Sequence, residues 1–334
     1  MSAMRYRRMG DSDLLVSEIG YGCWPMGGED YGAIDDAETA GAVDRAIDEG
    51  ITLFDTAPAY SHGRAEEVLG NLLVGRRQDV VIVTKCGLHW DIDADPRPIR
   101  RDSARASILD GPGGLHASLR RLQTDYLDLW LVHWPDVNVP FEEPMAVLAE
   151  AQAAGKVRQV GVSNYHPAQL ETCAPFVRLV ANQVGYNLFD RRWERQAFPD
   201  FRGRGLGVMA YGSLAHGLLA GTWTRETHLL ATDWRSRGTA FRQPLLTAEH
   251  LPANLDVVDR LKQVAARIRV TLPQLALAWV LREPLVATAL VGFRRPSEVD
   301  DNLGALDVAF SGADLAEIDA IMVDAKGQVE ELPT

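Results

Sequence analysis

The chain has 334 residues, with 34 Lys plus Arg against 46 Asp plus Glu, a formal net charge of −12. At 46% apolar residues it buries too much to be disordered, and its length buries roughly three quarters of the unfolded surface, so no disulfide or metal staple is needed. The acidic balance excludes wrapping a phosphate backbone, since nothing offsets the long-range repulsion.

Basic pairs such as Arg7-Arg8, Arg76-Arg77 and Arg100-Arg101 read as solvated faces. Cys23, Cys86 and Cys173 are odd in number and lack CxxC or Cys/His spacing, which fits a reducing compartment and speaks against a structural metal. MSAMRYRRMG turns polar at once, so no signal peptide is expected, and no run approaches the ~18 apolar residues of a membrane span. The expectation is a cytoplasmic protein that engages neither membrane nor nucleic acid; its oligomeric state is not readable.

In chain order, MRYRRM and LLVS, separated by Gly10-Asp11-Ser12-Asp13, predict an N-terminal hairpin. Eight strand-length runs follow: Ile19–Gly22, Leu53–Asp55, Val80–Lys85, Leu127–His133, Gln159–Ser163, Val180–Val184, Gly207–Tyr211 and Val286–Val291. VVIVTK and DLWLVH are continuously apolar, as in parallel strands covered on both faces. Between them, helical periods occupy Asp36–Glu49, Glu66–Leu73, Leu115–Leu122, Pro144–Ala154, Ala168–Cys173 and Ser297–Leu306. Asp35-Asp36 offer a cap for the first of these, and Gly50 a stop. Two patterns in 257–283, Val257–Ile268 and Leu272–Arg282, leave one helix surplus, and Ala313–Val323 closes the chain. Length over ~150 suggests two domains, yet α/β barrels of this size form one. The expected fold is α/β, a (β/α)8 TIM barrel with an N-terminal β-hairpin and extra helices, spanning 1–334 without a domain boundary.

Polar residues that end barrel strands face the mouth where such folds do chemistry. Asp55, Lys85, His133 and Ser163-Asn164 all end apolar runs, and Tyr60 leaves the same strand as Asp55. A buried ammonium beside Asp55 would lower the proton affinity of a nearby phenol, letting Tyr60 exchange a proton near neutral pH. His133 would orient a carbonyl oxygen. Singly, each has a plain structural reading: a snorkelling Lys, a hydrogen-bonded His, a turn-forming Asp, a pocket-wall Tyr. Four at successive strand ends form a candidate proton-transfer set.

The chain resembles the aldo-keto reductase superfamily, nearest to bacterial members that also resemble potassium channel β-subunits. The resemblance rests on GYGCWPMGG (20–28), FDTAPAYSHGRAEEVLG (54–70), TK (84–85), SLRRLQTDYLDLWLVHWPD (118–136) and GKVRQVGVSNY (155–165). NQVGYN (182–187), YGSLAHGLLAG (211–221) and VGFRRPSEVDDNLGA (291–305) continue it, so that it runs from about residue 4 to 325. It implies an NADPH-dependent reductase of a small carbonyl substrate, NADH serving some members, with no metal. By the resemblance Tyr60 is the general acid, tuned by Asp55 and Lys85, and His133 orients the carbonyl. Ser163, Asn164 and Gln183 match the carboxamide-binding positions, and Tyr211 the ring that stacks on nicotinamide. The implied nucleotide set further includes Gly22, Cys23, Trp24, Gly212, Ser213, Leu214, His216, Gly217, Leu219, Gly292, Arg294, Glu298, Asp301 and Asn302.

Read on their own, Gly212, Gly217 and Gly221 permit close backbone approach, although turns explain such spacing as often. Gly292 and Arg294 open a loop-to-helix junction that suits an anion, and Arg294-Arg295 suit a ribose 2′-phosphate. Glu298 stands where relatives often carry Gln and argues toward NADH; His216 replaces a usual Gln or Arg. DGPGG at 110–114 breaks a helix start and is expected to lengthen the loop after the third strand. Trp24, Tyr31, Trp90 and Trp134 are expected to line the substrate wall, and 222–254, without periodicity, to form a lid. Two other readings are a cofactor-binding redox sensor, disfavoured by the complete proton-transfer set, and a Schiff-base enzyme on Lys85, which leaves Asp55 and the Ser-Asn…Asn-Gln residues idle.

Overall fold

The computed structural model describes residues 3–94 and 98–333. Eight parallel strands close a barrel: Ile19–Gly22, Leu53–Asp55, Val81–Cys86, Leu127–Val132, Val157–Ser163, Ala181–Gly185, Gly207–Tyr211 and Val286–Val291. Each pairs with the next, and the eighth returns to the first through Ala289↔Ile19, Leu290↔Gly20 and Val291↔Tyr21. The expected (β/α)8 barrel is therefore observed, with strand limits shifted by at most two residues.

Strand period explains where the chemistry lies. Leu53, Val81, Val83, Leu129, Leu131, Ala181 and Met209 fill the barrel interior. Two residues beyond the last apolar one on each strand come Asp55, Lys85, His133, Gln183 and Tyr211, on the same inward face. The alternate residues Phe54, Ile82, Trp130 and Val132 pack outward against the helices. The predicted hairpin forms as Tyr6–Arg8 paired with Leu15–Ser17, and its Met9, Leu14 and Val16 close the barrel floor. Gly10 there has φ +54, and a methyl on it would lie 2.3 Å from the Gly205 carbonyl, so only glycine fits.

The first helix, Asp36–Asp48, is capped as expected: the Asp35 carboxylate accepts from the Ala37 and Glu38 N–H groups. The surplus pair forms as Leu251–Arg267 and Leu272–Leu281, bent 87° apart. Short helices at Arg105–Asp110, Arg192–Gln196 and Phe198–Gly203 escape sequence reading, being five or six residues with no side-chain N-cap. Among the described residues no single helix is long and apolar enough to cross a membrane.

The DGPGG segment differs from expectation. It is a tight joint between Arg105–Asp110 and Leu115–Arg121, not a longer loop. A methyl on Gly113 would come within 2.2 Å of the Leu88 carbonyl, and one on Gly111 within 2.5 Å of the Ser107 carbonyl. The extra length after the third strand lies earlier, in a small excursion where Leu88–His89 pairs with Arg100–Arg101.

Candidate active site

A cavity of about 890 Å³ opens at the carboxyl ends of the strands. At its floor the fully buried Lys85 ammonium donates to both Asp55 oxygens at 2.9 Å, to the Thr56 carbonyl at 2.8 Å and to the Tyr60 hydroxyl at 3.2 Å. Asp55 also accepts from Gln183 Nε2 at 2.7 Å. The His133 imidazole meets the Tyr60 ring edge-on at 5.9 Å. Asp55, Lys85 and His133, at the ends of neighbouring strands, and Tyr60, on the turn after the second strand, are thus brought together.

Electrostatics here depart from expectation in one respect. Burial first, and the Asp55 carboxylate second, push the Tyr60 phenol well above its ordinary range. The net direction is upward even though the Lys85 ammonium donates to the hydroxyl, because burial outweighs that contact. Burial lowers the Lys85 ammonium and raises the Asp55 carboxyl, each opposed by the charge of the other. Burial, then Lys85, hold His133 well below the imidazole range, so it is neutral. Its Nδ1 is buried without a partner among the described residues.

Tyr60 opens a turn, Tyr60–Gly63, in which Ser61 (φ +50), His62 (φ +53) and Gly63 (φ +96) are all left-handed. For Ser61 and His62 this costs roughly 1–2 kcal/mol each, which the surroundings must offset.

On the opposite side, Ser163 and Gln183 are register partners, so Ser163 Oγ donates to the Gln183 carbonyl at 2.8 Å. Asn164, itself left-handed at φ +61, donates to Ser163 Oγ at 3.0 Å and accepts from the Tyr211 hydroxyl at 2.9 Å. Gly22, Trp24, Trp134, Gly212, Ser213, Leu214, His216, Gly217, Gly292, Arg294, Glu298, Asp301 and Asn302 all line the cavity as expected.

Three expected residues do not. Cys23 is fully buried with its thiol on the Tyr21 carbonyl, and burial pushes that thiol up. Leu219 is buried in the outer core. Trp90 packs edge-on against His62 at 5.4 Å and beside Gly113, behind the Tyr60 turn rather than in the wall. Asp30, Phe241, Arg235 and Ser297 line the cavity without being singled out as site residues. Phe241 (φ +46) and Arg235 come from the 222–254 segment, which the sequence marked only as irregular.

Trp24 stacks on Tyr60 and also on Trp234, at 5.6 and 5.4 Å, and its indole N–H donates to Asp30 at 2.7 Å. Arg235 is paired with Asp233 and donates to the His216 carbonyl. Burial, helped by Arg235 and Arg192 and opposed by Asp190, lowers His216 from 6.5 to about 4. Its unfolded form therefore binds a proton first as pH falls. We expect stability to be full above pH 6.5 and to decline toward pH 4. The loss is about 2 kcal/mol after allowing for partial exposure. Chemical denaturation of wild type and His216→Gln across this window checks it; identical slopes would refute the assignment.

The cavity wall beside the Lys85 floor fits a nicotinamide nucleotide by its polar set. Amide and hydroxyl groups of Ser163, Asn164 and Gln183 line it together with Tyr211, whose hydroxyl donates to Asn164. Gly212 (φ +62) leaves backbone bare beside His216, and Asn302 Oδ1 is buried with no partner among the described residues, as an acceptor awaiting an amino group would be.

The Aldo/keto reductase family matches residues 18–323. The aldo-keto reductase YhdN of Bacillus subtilis is 36% identical, over 89% of this chain and 87% of its own length. The NADH-specific methylglyoxal reductase of Escherichia coli is 31% identical over 92% and 94%. The structure of the glycerol dehydrogenase AKR11B4 from Gluconobacter oxydans superposes with a TM-score of 0.86 at 31% identity, covering 99% of this chain and 98% of that one. Family match, closed parallel barrel and strand-end polar set agree: the chain is an aldo-keto reductase, an oxidoreductase of a family that works on carbonyl compounds with nicotinamide cofactors.

Proposed function

We propose that this protein reduces a small aldehyde or ketone, aromatic or sugar-type included, to the alcohol with NADPH. The observation that carries the reading is the Lys85 ammonium on both Asp55 and the Tyr60 hydroxyl, 3.2 Å from the latter, beneath an open cavity. The bound nicotinamide supplies a hydride to the carbonyl carbon.

The residues of the chain handle the oxygen. His133, neutral and with Nδ1 buried away from any acceptor, keeps its proton more cheaply on Nε2, where it donates to the carbonyl oxygen and polarises it. Tyr60, held protonated, gives its proton to the same oxygen as negative charge develops. Lys85 then faces the phenolate and stabilises it, while Asp55 keeps the ammonium charged in a site that would otherwise neutralise it. Ser163, Asn164 and Gln183 orient the carboxamide, and Tyr211 supports the ring face. Trp24 and Trp134 form the substrate wall with Phe241.

Among the described residues the cavity-lining cations are Arg235 and Arg294, and Asp30 lines the wall near Trp24. That distribution favours neutral carbonyls over phosphorylated or carboxylated ones. The test is carbonyl-dependent NADPH oxidation on a panel holding 4-nitrobenzaldehyde, methylglyoxal and an anionic 2-oxo acid. Quenching of NADPH fluorescence without turnover of any carbonyl would favour a sensor instead.

Arg294 and the exposed Arg295 support NADPH, whereas the Glu298 carboxylate already accepts from the Arg294 backbone N–H at 2.7 Å and opposes a second anion there. Arg294→Ala should weaken NADPH more than NADH, and Glu298→Gln should strengthen NADPH selectively. Nucleotide titrations of both variants check this; parallel changes for the two cofactors would remove the 2′-phosphate role.

A further inference from the structure

The turn that presents Tyr60 sits on a second buried ion pair, one layer below the first. Glu66, fully buried in the first turn of helix Arg64–Leu72, accepts from Arg121 Nε at Oε2 (2.7 Å), with Nη2 in ion-pair contact with the same oxygen. Its other oxygen accepts from the Thr84 hydroxyl at 2.5 Å, and Thr84 immediately precedes Lys85. One carboxylate therefore ties the segment after the Tyr60 turn to the strand that carries the ammonium.

Arg121 runs directly under the strained turn: a methyl on Gly63 would lie 2.7 Å from its Nε. Its Nη1 donates to the Pro112 carbonyl at 3.0 Å, within the glycine-rich 110–114 joint. Gly113 of that joint abuts Leu88 and Trp90, and Trp90 packs against His62 of the same turn. Arg121 and Trp90, both in contact with the 110–114 segment, thus converge on residues 62 and 63.

We propose that the Glu66–Arg121 pair, locked by the Pro112 carbonyl, is a positioning device that sets the spacing between the Tyr60 hydroxyl and the Lys85 ammonium. It governs proton transfer and leaves nucleotide and carbonyl binding unaffected. The inference rests on the reading of Tyr60 as proton donor. A buried ion pair is a poor source of stability, since apolar residues of equal volume do as well, so its value here is geometric. Nε on Glu66 and Nη1 on the Pro112 carbonyl hold the guanidinium at two points, which fixes both distance and direction as a single point charge does not.

Arg121→Lys keeps the charge and loses the two-point hold on Glu66 and Pro112; Glu66→Gln keeps an acceptor for Thr84 and loses the charge. With NADPH and 4-nitrobenzaldehyde we expect each to lower kcat at least tenfold. The carbonyl KM and the NADPH Kd should stay within twofold, and the solvent isotope effect on kcat should rise. In a Tyr60→Phe background, Arg121→Lys should cost nothing further. A folded Arg121→Lys or Glu66→Gln enzyme with wild-type kcat, or a loss that adds in full to that of Tyr60→Phe, overturns the proposal. Should Arg121→Lys not fold, Glu66→Gln carries the same test. If Tyr60→Phe alone leaves turnover intact, the proton-donor reading falls first and this inference with it. A Tyr60→Phe enzyme that is dead beside Arg121 and Glu66 variants that run normally sinks only this inference.

Discussion

Tyr60→Phe should lower carbonyl turnover at least ~10²-fold while leaving NADPH affinity nearly unchanged. The substitution removes one oxygen and keeps the ring that stacks on Trp24, so the cavity wall survives. What is lost is the proton and the acceptor of the Lys85 N–H at 3.2 Å. Because burial holds the phenol well above its ordinary range, the acid form persists through neutral and moderately alkaline pH. Reduction should therefore be flat across that range and fall only at high pH, whereas alcohol oxidation, which needs the phenolate, should rise with pH. Turnover within a few fold of wild type in the phenylalanine variant would place the proton source elsewhere. A reduction profile already falling at neutral pH would mean that the phenol is acidified after all.

Lys85→Met should be the most damaging single change to both stability and rate. It removes an ammonium with four acceptor contacts and leaves Asp55 buried with Gln183 as its remaining side-chain donor. Breaking a buried pair by removing one partner costs about 3–5 kcal/mol, and the stranded carboxylate protonates. Turnover should fall at least ~10²-fold as well, since nothing then faces the phenolate. The two losses are separable. Adding Asp55→Asn removes the lone charge and should restore much of the stability without restoring rate. Denaturant midpoints and kcat on the single and double variants decide it; recovery of rate along with stability would make Lys85 a structural residue only.

Much of the architecture was legible because parallel strands buried on both faces read as unbroken apolar runs, and eight of them alternate with helical periods. The same pattern exposed Asp55, Lys85 and His133, since a charged or titratable group at the inward end of such a run is conspicuous. Trp90 was misplaced for a corresponding reason: an aromatic after a strand has no periodicity to say which way it turns, and contacts with His62 and Gly113 took it behind the Tyr60 turn. Arg235 and Phe241 carried no signal, because irregular segments are positioned by what they touch. Arg121 was not singled out by any sequence signal; its partner Glu66 is fully buried, and only the fold brings the two together.

By itself the sequence determined the barrel, its plugging hairpin and the inventory of groups at its mouth, because side-chain direction along a strand alternates whatever the surroundings. The tertiary structure alone decided the protonation of those groups, since that depends on burial and on which charge lies within reach. It shared the Lys85 ammonium between Asp55 and the Tyr60 hydroxyl and buried the phenol so that its proton is held tightly, and it bent the DGPGG segment into a joint beneath the turn that bears the phenol.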